Sequence, residues 1–368
     1  MAESHTARVV EVIEETHDAH SIVLEVESDA AEQFSYKPGQ FLTVAVPSDE
    51  TGTVARCYSL SSAPHEGNLL KITVKRTQEG YGSNWICDNV ESGQDLQVLA
   101  PSGIFTPTSL GADFLLFAGG SGITPVISIV KAALAKGAGR VVLLYANRDE
   151  TSVIFGPELT ELAGKHPDRL VVLHWLESVQ GLPTLEHLRT FAEPFTAYDS
   201  FVCGPAPFMK AVTAALKELG LPRERRHQEK FISLGGNPFG DETEDVSVDP
   251  GDEPQVEPVA ATPGQTESVL EAGSREAPAT VEVELDGEEH TFDNWPADKP
   301  LLDLLLEQGL DAPFSCRQGQ CSACACRLLE GEVKMMHNEV LDDDDLAEGI
   351  RLACQSLPVT DRVKVTYH

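Results

Sequence analysis

The sequence predicts a multidomain chain, with an antiparallel β-barrel, a doubly wound α/β domain, an acidic disordered linker and a small β-grasp domain in that order. Three observations carry this reading. Residues 1–108 fall into short alternating runs broken by Gly, Pro and Asp, and from 109 the texture becomes strand and helix in alternation with Gly-rich turns. Near the end, Cys316, Cys321, Cys324 and Cys354 are spaced C-x4-C-x2-C, with 29 residues before the fourth cysteine.

In the first segment, 7–14, 21–27, 40–46, 69–76 and 96–100 read as barrel strands. Between them lies Arg56-Cys57-Tyr58-Ser59, entering a Ser-rich turn, and after the fourth run comes Gly80-Tyr81-Gly82-Ser83-Asn84-Trp85 before a helix. A cation, an aromatic face, hydroxyls and open backbone amides at a helix start suit a flavin with its pyrophosphate. An ordinary exposed barrel strand would also read this way.

Residues 109–237 form the second unit. A buried strand over 114–118 leads into Gly119-Gly120-Ser121-Gly122-Ile123-Thr124-Pro125 and an amphipathic helix to 135, with Thr124 as N-cap and Pro125 at the first helical position. Strands follow over 140–146, 170–175 and 200–203, the last running into Cys203-Gly204-Pro205 and a helix over 206–219. Gly-rich turns on one edge of a parallel sheet define a nucleotide crevice. Taken alone, Cys203 reads as a buried strand-end residue, and beside Gly204-Pro205 as part of the nucleotide crevice. After the second strand, Asn147-Arg148-Asp149-Glu150 would meet the adenosine ribose, where Asp149 and Glu150 repel a 2'-phosphate and Arg148 attracts it; the balance favours NADH. The segment closes at Glu229-Lys230-Phe231.

Residues 238–279 hold 11 acidic side chains and one basic, with few large apolar ones, a composition that cannot bury enough surface to fold. Some 40 flexible residues reach about 35 Å, enough to let the last domain move between a donor and an outside acceptor.

The last unit, 280–368, restarts with strands over 281–285 and 290–294, a turn at Asp286-Gly287, a helix over 301–308 and further strands over 328–333 and 362–367. The cysteine spacing is that of a plant-type 2Fe-2S cluster; a structural zinc site draws its ligands from two short pairs, which this is not. Cys326 lies outside the pattern, as a small buried residue. The acidic run 342–345 reads as a helix start or as a docking face for a basic partner.

The whole chain carries 59 acidic and 27 basic side chains, a formal charge of -32. That surface repels nucleic acid and anionic lipid, and fits either a solvated, salt-adapted exterior or steering of a basic redox partner. The start lacks a basic and apolar leader, no run approaches the roughly 18 apolar residues of a membrane span, and the eight cysteines fit a reducing compartment, so a cytoplasmic location is expected.

The stretch Tyr36-Lys37-Pro38-Gly39-Gln40, then Arg56 to Ser59 and Gly80 to Ser83, together with Gly119 to Pro125 and Cys203 to Pro205, resembles the ferredoxin-NADP reductase family. The resemblance implies FAD, with Arg56 on the flavin phosphates, Tyr58 on the isoalloxazine ring, Ser59 near N5, Gly82 and Ser83 at the pyrophosphate, and Phe231 as the aromatic covering the flavin. It also implies nicotinamide nucleotide at Gly120, Gly122, Thr124, Cys203, Gly204 and Pro205, with Thr124, Cys203 and Ser59 flanking the hydride path. RCYSLS (56–61), VKRTQEGYGSNW (74–85), LYANRDETSVIF (144–155), LHWLESVQGLP (173–183), Cys203 to Met209 and DAPFSC (311–316) are similar to the oxygenase reductases of steroid degradation. That implies an NADH-dependent reductase passing single electrons through FAD and a 2Fe-2S cluster to a terminal Rieske oxygenase. Phenol hydroxylase and phenylacetyl-CoA epoxygenase reductases share the single motifs. A non-enzymatic redox carrier or sensor and a cluster-donating scaffold are the readings from another class.

Overall fold

The computed structural model describes residues 4–27, 30–48, 52–78, 80–231, 239, 278–285, 287–310, 312–314, 317–319, 321–341 and 343–367. The expected linker, 238–279, lies almost wholly outside the described residues, as do Cys316 and the turn residue Asp286.

The first unit is a six-stranded antiparallel sheet of β1 (Ser4–Thr16), β2 (Ala19–Val26), β3 (Phe41–Ser48), β4 (Gly52–Ser59), β5 (Leu70–Lys75) and β6 (Asp95–Leu99), in the order β4-β3-β6-β1-β2-β5. A bridge between Leu60 and Ile72 joins the two edge strands and closes the barrel. Alternation buries Ile22, Leu24, Leu42, Val44, Ile72 and Val74 inside it. The Arg56 motif is itself a strand, β4, beyond the runs expected, and α1 (Tyr81–Asn89) starts inside the Gly80 motif rather than after it.

The second unit is a five-stranded parallel sheet of β7 (Phe114–Gly119), β8 (Val141–Asn147), β9 (Leu170–Leu176), β10 (Asp199–Cys203) and β11 (Arg226–Glu229), in the order β11-β10-β7-β8-β9. Every residue of β7 is buried, as a central strand with both faces covered requires. Helices α2 (Ile123–Lys136), α3 (Gly156–Lys165), α4 (Glu177–Gln180), α5 (Leu185–Ala192) and α6 (Ala206–Glu218) connect the strands. β11 reads Arg-His-Gln-Glu and has no strand pattern; pairing with β10 makes it one.

Two expectations for α2 are corrected. A 3-10 turn over Gly120–Gly122 starts the winding early, so Gly122 and not Thr124 is the N-cap, and Pro125 falls at the third position, still within the first turn. The helix is also buried on both faces rather than amphipathic, because the sheet packs on one side and the barrel on the other: Ser128 Oγ donates to Ser62 O at 2.6 Å.

The last unit has β12 (Ala279–Leu285), β13 (Glu288–Trp295), β14 (Ala325–Glu330), β15 (Val333–Met335), β16 (Ile350–Leu352), β17 (Ser356–Pro358) and β18 (Arg362–Thr366), with α7 (Leu301–Glu307) and α8 (Asp343–Ala347). Its main sheet runs β13-β12-β18-β14-β16, with β12 and β18 parallel, and β15 pairs with β17. α7 buries Leu301, Leu302, Leu304 and Leu305 in one core with Trp295. The strand expected over 328–333 is broken in two at Gly331, whose φ of +84° bends the chain where a Cβ would meet Arg362 O at 2.2 Å. No helix is long and apolar enough to cross a membrane among the described residues.

Candidate functional site

β4 divides its motif between two sides. Cys57 and Ser59 face a cleft, while Arg56 lies on α1 and Tyr58 packs on the barrel core, where burial pushes its hydroxyl well above the usual phenol range. A Cβ on Gly82 would lie 2.7 Å from Arg56 Cγ, so only glycine lets the arginine stem cross the start of α1. The N-cap, Gly80, gives the first-turn N–H groups no side-chain acceptor, which suits an anionic pyrophosphate beside the guanidinium. The Ser83 hydroxyl is engaged by Thr77, 2.6 Å from Thr77 Oγ1, so Ser83 offers its backbone rather than its side chain. These residues fit a flavin diphosphate.

At the sheet edge, β7 and β10 end side by side, Ala118 in register with Cys203. A Cβ on Gly122 would stand 2.2 Å from Cys203 O and one on Gly119 2.8 Å from Pro205 Cδ, so the two turns touch through backbone. Gly120, at φ +52°, has nothing within 4 Å of where its Cβ would be. The open space lies above the Gly-rich turn, at the switch point of the sheet. Thr124 is buried and its hydroxyl donates to Ser121 O at 3.1 Å, holding the turn. Cys203 is fully buried, and burial followed by the neighbouring Glu229 pushes its thiol well up; it packs as a neutral wall. At the end of β8, the amide Oδ1 and Nδ2 of Asn147 are buried with no hydrogen-bond partner among the described residues, a gap that a polar ligand would fill. Asp149 does not face that space: its carboxylate accepts from Ser152 N at 3.0 Å and Thr151 Oγ1 at 2.7 Å, capping its own turn.

In the cysteine loop, Arg317 at φ +56° and Gly319 at φ +73° turn the chain, and a Cβ on Gly319 would meet His337 O at 2.6 Å. Cys321, Cys324 and Cys354 are buried. The Cys324 thiol is pushed well up by its hydrogen bond to Cys354, then by burial and by repulsion from Cys354 and Cys321. Thiols crowded this way call for a cationic centre. Among the described residues no group of three or more His, Cys, Asp or Glu side chains is placed to hold one metal ion, and Cys316 lies outside them. Gln355 Nε2 donates to Arg317 O at 2.8 Å and to Cys354 Sγ at 3.6 Å, tying the loop to Cys354. Cys326 is buried in the domain core, its thiol raised to about 12 by burial.

All three units meet at one cleft, lined by Phe41, Cys57 and Ser59 of the barrel, Glu229, Lys230 and Phe231 of the sheet domain, and Cys321 and Ser322 of the cysteine loop. Phe231 stands half exposed there, lining the same cleft as Ser59. Glu229 was not foreseen. Burial raises its carboxyl to about 8, so it holds its proton at neutral pH and keeps an uncharged donor in the cleft. Nothing in Arg-His-Gln-Glu signals that one carboxyl of an edge strand is enclosed. Among the described residues, ion pairs also join the sheet domain to the last domain: Lys230 to Asp345 at 3.0 Å, Arg223 to Asp345 at 3.7 Å, Arg226 to Glu348 at 3.6 Å, and Arg223 to Glu348.

Family models match three stretches of the chain: an oxidoreductase FAD-binding domain over 6–106, an oxidoreductase NAD-binding domain over 116–214, and a 2Fe-2S iron-sulfur cluster binding domain over 283–359. The ferredoxin reductase component of 3-ketosteroid-9-alpha-monooxygenase from Rhodococcus rhodochrous is 52% identical over 97% of this chain and 95% of its own, and that of Mycolicibacterium smegmatis is 52% identical over 98% and 96%. A component of the 1,2-phenylacetyl-CoA epoxidase of Escherichia coli is 31% identical over 100% and 98%. Among solved structures, phthalate dioxygenase reductase shares the fold, with a TM-score of 0.56 at 24% identity over 99% of this chain and 98% of that one. With three cofactor domains in the same order and half its residues shared end to end, the chain belongs to the family of flavin, nicotinamide and 2Fe-2S oxidoreductases that includes the ferredoxin reductase component of 3-ketosteroid-9-alpha-monooxygenase.

Proposed function

We propose that this chain takes hydride from NADH and delivers single electrons to the Rieske-type terminal oxygenase of a 3-ketosteroid 9α-hydroxylase. One observation carries the electron path: Cys321 and Ser322 of the cysteine loop line the same cleft as Ser59 and Phe231. The relatives named above supply the steroid assignment.

A bound flavin accepts hydride yet releases electrons one at a time, and a 2Fe-2S cluster relays them singly. Around those groups, Arg56 and the amides of Gly82 and Ser83 hold the flavin phosphates, Tyr58 lies on the Arg56 side of β4 as the flavin's aromatic neighbour, and Ser59 faces the cleft at the ring end of the site. Gly120, Gly122, Thr124, Gly204 and Pro205 shape the floor on which the nucleotide lies, and Cys203 packs beneath it. Glu229 keeps a proton on its carboxyl beside Ser59. Phe231 covers the ring until the nicotinamide arrives. Phe41, Ala55, Cys321 and Ala323 form an apolar contact that keeps water from the space between barrel and cysteine loop. Cys316, Cys321, Cys324 and Cys354 hold the cluster.

A plant-type cluster near -400 mV lies at least about 250 mV below a Rieske centre at -150 mV or higher. At 59 mV per tenfold, this favours forward transfer by about four orders of magnitude. The test is NADH-driven 9α-hydroxylation of a 3-ketosteroid by this chain with a purified ketosteroid oxygenase. Product coupled to NADH oxidation is the expected result. Reduction of flavin and cluster without product moves the partner to another oxygenase, such as the phenylacetyl-CoA system of the 31% relative.

A further inference from the structure

At the carboxyl end of the second strand of such a sheet, an arginine meets the 2'-phosphate of NADPH, whereas an acid meets the ribose 2'-hydroxyl of NADH. Arg148 occupies that end, directly after β8. The neighbouring Asp149 caps its own turn, and its charge also reaches Lys75. A different carboxylate reaches Arg148, from the other domain. Asp18, in the turn between β1 and β2 of the barrel, places Oδ2 3.0 Å from Arg148 Nη2 and 3.6 Å from Lys75 Nζ. Thr16 Oγ1 donates to Asp18 Oδ1 at 2.8 Å, His17 Nε2 lies 3.9 Å from Oδ2, and the Asp18 carbonyl accepts from Arg76 N at 2.8 Å, so the carboxylate is fixed in place. Its side chain is 16% exposed against 62% for Arg148.

We infer that Asp18 is a specificity-determining residue, selecting NADH over NADPH by holding Arg148 in a cross-domain ion pair and setting a fixed negative charge against the phosphate that distinguishes the two nucleotides. The inference rests on the crevice above Gly120 taking a nicotinamide nucleotide. With Asp18 present, Asp18, Arg148 and Lys75 together carry one net positive charge, before the charge of Asp149, which also acts on Lys75; Thr16 holds the carboxylate and Arg76 N holds the Asp18 backbone. Without it, two cations are left for a phosphate that carries close to two negative charges. Burial alone would raise the Asp18 carboxyl, but Thr16, Lys75, His17 and Arg148 outweigh it and hold it below the usual carboxylate range, so the charge is present across the working pH.

The test compares kcat/KM for NADPH and NADH with ferricyanide as acceptor, an assay that needs no oxygenase and so stands or falls apart from the steroid assignment. NADH oxidation by the unaltered chain verifies the crevice itself. Asp18→Asn raises the NADPH to NADH ratio about tenfold or more, the size of one unit charge near a partly exposed phosphate, and Asp18→Ser, which keeps a hydrogen-bonding group beside Thr16, gives the same direction. Adding Arg148→Gln to Asp18→Asn returns the ratio towards that of the unaltered chain. A ratio unmoved in both Asp18 variants that retain flavin, or an increase that survives Arg148→Gln, overturns the inference.

Discussion

The two joints of this molecule are built on different principles. Between barrel and sheet domain the hydrophobic core is continuous: Ala19 and Phe105 of the barrel side share one cluster with Phe114, Ile129 and Phe201, and the Phe105 and Phe201 rings meet at 5.1 Å. At its edge Lys131, only 4% exposed, binds Glu66 of the barrel at 2.9 Å and Glu158 at 3.2 Å. Between the cysteine domain and the other two, the apolar cluster among the described residues is Phe41, Ala55, Cys321 and Ala323, with Cys57 and Phe239 beside it, and it is accompanied by ion pairs whose side chains are 9 to 27% exposed. The first joint is a domain core cut in two. The second resembles a transient interface, with an apolar spot on the electron path and charges around it. Hydride transfer needs one fixed geometry between flavin and nicotinamide, whereas a relay to an outside acceptor needs a contact that can be given up.

The largest effect separates the joints by chemistry. Cys321→Ser abolishes electron delivery to the oxygenase while flavin reduction by NADH, followed by stopped-flow absorbance, continues; loss of both would show that the second joint also supports the first. Next comes Lys131→Ala, which removes a buried cation from two carboxylates that are themselves 37% and 31% exposed, Glu158 keeping Lys71 at 3.8 Å. It lowers the unfolding free energy of the flavin-nucleotide unit by about 1–3 kcal/mol in urea melts. A change below about 1 kcal/mol would place that pair among surface ion pairs.

Reversing charge at the second joint acts on rate rather than stability. Arg223→Glu with Lys230→Glu slows cluster reduction by the flavin about tenfold at low salt, and adding Asp345→Lys with Glu348→Lys restores it. Raising KCl to about 0.5 M slows the unaltered chain severalfold in the same assay and leaves flavin reduction by NADH unchanged, because the Debye length falls well below about 10 Å. Equal salt sensitivity of the two steps would erase the distinction between the joints.

The smallest effect is on pH dependence, at the cleft where both joints meet. The folded-state pKa of Glu229 is raised to about 8 from an ordinary 4.5, so the folded chain holds a proton that the unfolded chain has lost. Its contribution is complete below about 4.5 and is lost as pH rises to about 8. Glu229→Gln therefore flattens the decline in melting temperature between about pH 5 and 8 relative to the unaltered chain. Parallel declines would mean that the carboxyl is already ionised in the fold.

Much of the fold was legible from local pattern. The alternation of 281–285, the all-apolar run 114–118 and the leucines of 301–306 each declare their element, because periodicity reflects which side a residue buries. Gly331 shows where such reasoning stops: the run 328–333 reads as one strand, and the left-handed backbone that splits it is imposed by the close approach of Arg362 O from a strand about 30 residues further on. The burial of α2 on both faces escaped for a related reason. Its second face is covered by a barrel whose position no local pattern encodes.

The order of the three cofactor modules and the spacing of the four cysteines can be read before any folding is known, since ligand spacing and Gly-rich turns are properties of contiguous chain. Which charges oppose each other is settled in three dimensions. Asp149, one residue from Arg148, turns inward to its own helix turn, while Asp18, 130 residues away, meets the arginine at 3.0 Å. Lys230 and Arg223 likewise acquire their roles from a domain contact 115 to 125 residues distant, and Glu229 from the burial of a strand edge. Charge acts through space and burial, and neither is written in the neighbours along the chain.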